Sequence, residues 1–93
     1  MRRPIWRYAA LRRIRIFKST DYFAYTRTRP DRAAILDEWI VLAIEHPVAE
    51  AVQGDGRIRR WAYISEVGRY LRVVLLSDAL TVHNAFFDRR FEP

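Results

Sequence analysis

The sequence predicts an α+β fold: one main helix packed on a curved antiparallel sheet, with a basic extension at the N-terminus. Two observations carry this. Apolar residues repeat at three and four positions between Pro30 and His46, and beyond Pro47 the period changes to two. Turn residues then cut the remainder into four short segments. At 93 residues the chain has room for one core. Its apolar content of 51%, with 14% aromatics, is enough to fill that core and too high for a disordered protein of high net charge.

The extension stands apart by charge. Residues 1–18 hold Arg2, Arg3, Arg7, Arg12, Arg13, Arg15 and Lys18 and no acid, a balance of +7. The rest holds 10 basic and 11 acidic side chains, a balance of −1. The net charge of +6 therefore belongs to the extension, and the pI says little about the folded part. Leu11, Ile14 and Phe17 fall at helical spacing, so this segment is read as a basic amphipathic helix or a disordered tail. The division is placed after residue 19, with 20–93 as the α+β domain.

Residues 22–27 alternate aromatic with small or polar side chains and read as a short strand. Thr28-Arg29-Pro30-Asp31 reads as a helix start. Thr28 is placed to accept from the backbone three residues on, Pro30 is tolerated in the first turn, and Asp31 complements the positive helix end. Leu36, Ile40 and Ala43 or Ile44 form the apolar stripe, with Ile35 and Trp39 widening it. His46-Pro47 ends the run, because the residue before proline is disfavoured in the α region. Strands are expected at residues 48–53, 57–65, 69–76 and 80–87. Gly54-Asp55-Gly56, residues 66–68 and Ser77-Asp78 make the turns between them. One helix covers one face of such a sheet, leaving the other to solvent or a ligand.

The open face is where chemistry is expected. On residues 57–65, Arg57, Arg59, Trp61 and Tyr63 share one side, opposite Ile58, Arg60, Ala62 and Ile64. Alternation on the next strand adds Tyr70 and Arg72 to the first group. Guanidinium groups interleaved with aromatics suit nucleic acid, since arginine neutralises phosphate and rings stack on unpaired bases. The same pattern also serves an ordinary solvated face with cross-strand pairs. His83 on the last strand, followed by Asp88, Arg89 and Arg90, adds a titratable group beside cations. In a catalytic reading His83 is the general acid or base, Arg72 and Arg89 stabilise a phosphorane, Asp88 orients a partner, and Arg90 joins the RNA-binding set.

Zero cysteines exclude a disulfide framework, a thiolate metal site and a cysteine nucleophile, and fit a reducing cytoplasm. Two histidines far apart, with no carboxylate at ligand spacing, give no metal set, and no phosphate-cradling glycine motif calls for a cofactor. No apolar run approaches the length of a membrane span.

Several stretches carry a resemblance. Arg29-Pro30-Asp31, Glu38-Trp39-Ile40, His46-Pro47, Gln53-Gly54-Asp55-Gly56-Arg57-Ile58-Arg59-Arg60-Trp61, Tyr70-Leu71-Arg72-Val73-Val74 and His83-Asn84-Ala85-Phe86-Phe87-Asp88-Arg89 are similar to a family of small bacterial proteins. That family distantly resembles the RelE, ParE and BrnT toxins of type II toxin-antitoxin systems. The BrnT opening motif is missing from this chain. The resemblance implies a RelE-like helix-on-sheet fold and an mRNA-cleaving endoribonuclease that needs no cofactor. Its partners would be RNA, including ribosome-bound mRNA, and a cognate antitoxin protein. A non-catalytic protein- or nucleic-acid-binding module of the same fold, and ParE-like gyrase poisoning, remain open beside it.

Overall fold

A computed structural model of the chain describes residues 17–93. The helical reading of the preceding arginine-rich segment lies outside the described residues. In chain order the elements are β1 (Lys18–Ser19), α1 (Asp21–Thr26), α2 (Pro30–Ala33), α3 (Asp37–Glu45), β2 (Ala49–Val52), β3 (Ile58–Ile64), β4 (Arg69–Leu75) and β5 (Thr81–Phe87). The architecture is α+β, with three helices on a five-stranded mixed sheet of order β1-β5-β4-β3-β2.

The meander read from the sequence is present: β2, β3, β4 and β5 pair antiparallel in succession. The β2–β3 hairpin closes by hydrogen bonds from Gln53 N to Arg57 O at 2.8 Å and from Gly56 N to Gln53 O at 3.0 Å. Gly56 takes φ +90°, the left-handed region that glycine enters without strain. The fifth strand was not expected. Lys18 and Ser19 pair in parallel with Thr81 and Val82, Thr20 N donates to Val82 O at 3.0 Å, and the Phe17 ring meets Phe23 edge-on at 6.0 Å. A division after residue 19 therefore cuts through this pairing.

Residues 22–27 are a correction, because they form most of α1 and not a strand. Thr20 is its N-cap, accepting from Phe23 N at 3.1 Å. The aromatic alternation survives on a helix because only Phe23 and Thr26 are buried, while Tyr22 and Tyr25 face out. The expected long helix is in fact two. Thr28 does not cap it; its hydroxyl donates to Tyr25 O at 2.7 Å. Between α2 and α3 the chain bends, with Leu36 extended, and Arg27 holds the bend by donating to Ile35 O and to the Asp37 carboxylate. The bend inserts Ile35 into the core and turns Leu36 out to 44% exposure.

The core lies between the helices and one sheet face. Phe23, Ile35, Ile40 and Ala43 meet Ala62, Ile64, Leu71, Val73, Leu75, Val82 and Ala85 there. Trp39 packs at its border, its ring 6.1 Å from Phe87 and its Nε1 donating to Glu66 Oε2 at 3.1 Å. Arg60 stays on this face, as alternation requires, and its Nη1 donates to Ile44 O at 2.9 Å in the last turn of α3, where a cation is favoured. Among the described residues no helix is long and apolar enough to cross a membrane.

Candidate functional site

The face turned away from the helices carries Arg59, Trp61 and Tyr63 from β3, Tyr70, Arg72 and Val74 from β4, and Asn84 and Phe86 from β5. Its character changes along its length. At one end a cavity of about 300 Å³ is lined by Tyr22, Gln53, Arg57, Arg59, Arg72, Val74, His83, Asn84 and Phe86. Three guanidinium groups and one imidazole thus share a cavity whose lining includes no carboxylate.

A β-bulge builds this end. On β5, Val82 and Ala85 are both buried in the core although they are three residues apart, and the register slips between Val74 and Leu75. The extra residue allows His83 and its neighbour Asn84 both to line the cavity, which strict alternation forbids. Arg32 from α2 supports the bulge, donating to Asn84 Oδ1 at 2.7 Å.

His83 is held on two sides. Tyr22 stacks on its ring at 4.9 Å and 25°, and Thr20 Oγ1 lies 3.0 Å from Nδ1. The Thr20 hydroxyl also accepts from Phe23 N, and it can donate to Nδ1 or accept from Nδ1–H according to the state of the ring. Burial lowers the pKa of His83 below the usual imidazole value; the charge of Arg57 adds to this and Asp55 opposes it. The neutral imidazole is therefore the resting form at neutral pH.

The three arginines differ in their partners. Arg57 is tied to the hairpin, its backbone N–H donating to Asp55 Oδ1 at 3.0 Å and its Nε 3.7 Å from Asp55 Oδ2. Arg72 is anchored to Asp88 Oδ2, with Nη2 at 2.6 Å and Nε at 3.0 Å, and sits over the rings of Phe86 and Trp61. Arg59 has no carboxylate partner, and its Nε is buried without a hydrogen-bond partner among the described residues. The Nε itself is sealed from the cavity, and the charge of the guanidinium that lines it has no carboxylate to balance it.

The other expected site residues divide. The partner that Asp88 orients is Arg72; it also accepts from Trp61 Nε1 at 3.0 Å and from Arg90 N at 3.1 Å. Burial raises the Asp88 pKa, but the hydrogen bonds from Trp61 and Arg72 outweigh it and hold the carboxyl below its usual range. Trp61 is only 7% exposed, stacked on Phe91 at 4.7 Å and 16°, so its face is covered by the C-terminal residues. Tyr63 and Tyr70 form a tilted pair at 5.1 Å, and the same Phe91 ring meets Tyr70 edge-on at 5.0 Å. Arg89 lines a separate cavity of about 350 Å³ with Arg69, Tyr70, Phe87 and Phe91. Arg90 is exposed outside both cavities. Thr20, Tyr22 and Gln53 were missed from the sequence. A threonine ahead of an aspartate is a helix-start signal, but the aromatic alternation after it pointed to a strand. Among the described residues no group of three or more His, Cys, Asp or Glu side chains could hold a metal ion.

Comparison of the chain with family models, with curated proteins and with solved structures finds no match.

Proposed function

We propose that this chain is an RNA-cleaving toxin of a type II toxin-antitoxin system, RelE-like in architecture, with the cavity around His83 as its phosphate site. The single observation that carries the reading is the convergence of Arg57, Arg59, Arg72 and His83 in one cavity whose lining holds no carboxylate. Arginines in such a place hold a phosphodiester and stabilise the charge of a phosphorane. In cleavage the 2′-hydroxyl gives up its proton to solvent as its oxygen bonds to phosphorus, the bond to the 5′-oxygen breaks, and a proton must reach the departing 5′-oxygen. That acid step needs the imidazolium form of His83, with Nε2, the ring nitrogen not held by Thr20, delivering the proton. A cognate antitoxin and access to ribosome-bound mRNA belong to the same proposal.

One observation favours a second reading, a non-catalytic nucleic-acid-binding module. Asp88 is committed to Trp61 and Arg72, so no carboxylate is left beside His83 to do the chemistry. Single-turnover cleavage of single-stranded RNA, with and without ribosomes, separates the two. The toxin reading predicts cleavage by the wild-type chain, with His83→Ala slowing it about a hundredfold or more while binding stays nearly intact. Intact RNA in both assays, together with unimpaired growth on induction, would leave the binding module as the function.

A further inference from the structure

Resting on the reading of this cavity as a phosphate site, we infer that it takes up one phosphoryl group together with one proton, and that His83 is the residue that carries the proton. The argument starts from charge. Arg72 is balanced by Asp88 at 2.6 Å and Arg57 in part by Asp55 at 3.7 Å, so of the three guanidinium groups Arg59 alone stands unneutralised. With a neutral imidazole the cavity holds about one uncompensated positive charge. An arriving phosphoryl oxyanion meets that charge and brings negative potential to a ring that until then faced cations.

The groups around His83 leave the oxyanion as the only new influence on it. Arg57 and Asp55 approach from the β2–β3 hairpin, Arg59 and Arg72 from β3 and β4. From α1 comes the Tyr22 ring, and from α2 Arg32, which is spent on Asn84. Thr20 adapts to either ionisation state, since its hydroxyl donates to Nδ1 of the neutral ring and accepts from Nδ1–H of the imidazolium. The ring can therefore gain a proton without rearranging its support. It then presents a second cation to the phosphoryl group, and a charged acid for any step that needs one. By linkage, whatever raises the proton affinity of His83 on binding makes binding tighter at lower pH by the same factor.

The test uses sodium sulfate, an anion that does not itself titrate here, and a 2′-O-methyl oligoribonucleotide, which presents phosphodiesters but cannot be cleaved. Calorimetric titrations in buffers of different ionisation enthalpy count the protons exchanged. The inference predicts net proton uptake between the free and bound titration midpoints of His83, with affinity that tightens as pH falls through that window. His83→Gln abolishes both. The chain has two histidines, so two imidazole signals suffice for NMR, and saturation with sulfate should raise the titration midpoint of His83. Uptake with sulfate but no binding of the oligonucleotide supports the proton coupling for a free oxyanion and removes the nucleic-acid reading. Binding of sulfate that His83→Gln leaves intact in strength and that brings no proton uptake overturns the inference and leaves that reading intact. So does equal uptake in His83→Gln, or no binding of either probe at millimolar concentration.

Discussion

Asp88 shows how a residue selected for chemistry turns out to serve structure. Its carboxylate ties Trp61 and Arg72 together and caps the backbone of Arg90, with the side chain 9% exposed. Asp88→Ala leaves the Arg72 guanidinium unpaired on a partly covered face, and should cost about 2–4 kcal/mol in denaturant unfolding. The same bonds set a pH dependence. A carboxylate whose folded pKa is depressed contributes stability that is present above its unfolded pKa of about 3.9 and is lost as pH falls through the lower folded value. Asp78 adds to the acid limb in the same direction, because hydrogen bonds from the Thr81 hydroxyl, Thr81 N and Leu80 N lower its pKa to about 2. His83 acts at higher pH: with its folded pKa lowered, the unfolded chain binds the extra proton, so stability falls as pH drops through about 6.5. Sequence alternation was enough to place Arg59 and Arg72 on one face with His83 beyond them. It could not show that Asp88 is already occupied, because that depends on the C-terminal residues folding back over Trp61. Ala79 takes φ +61°, where a Cβ is strained. Ala79→Gly should leave the melting temperature unchanged or raise it by a few degrees, since relief of strain offsets the added chain entropy.

At the scale of elements, the strands of the meander were legible because period-two patterning and turn residues agree along the second half of the chain. The first half misled for a physical reason. α1 has six residues, too few for a helical period to assert itself over a run of aromatics, and the bend at Leu36 contains neither glycine nor proline. The bulge on β5 was equally hidden, although the apolar spacing of Val82, Ala85 and Phe87 carries its trace: a three-residue step in a strand otherwise spaced by two. Helix register is testable in α3. Ile40 is fully buried, so Ile40→Ala should cost about 2–5 kcal/mol. Trp39, which the sequence placed on the buried stripe, lies at the border, and its replacement by alanine should cost less, about 1–3 kcal/mol. Equal losses, or the reverse order, would refute this register.

For the whole molecule, the separation of charge between the arginine-rich segment and the rest was fully readable, whereas the edge of the fold was not. Phe17, Lys18 and Ser19 belong to the packed body through Phe23 and the parallel pairing to β5. A chain beginning at Thr20 should therefore be less stable than one beginning at Phe17, by about 1–3 kcal/mol, from loss of the ring contact and the ladder bonds. The arginines before Phe17 will bind any polyanion, so RNA affinity alone says nothing about the cavity; only a difference between variants of the full chain does. The salt dependence of single-stranded RNA binding supplies that difference, because each phosphate contact releases counterion. If Arg59 holds a phosphate, Arg59→Ala should reduce the slope of log K against log salt concentration by about 0.7, while Arg29→Ala, on an exposed side chain far from the cavity in the chain and paired with Asp31, should leave it unchanged. An Arg59→Ala variant with the wild-type slope and affinity would contradict the assignment of the open sheet face as the nucleic-acid site.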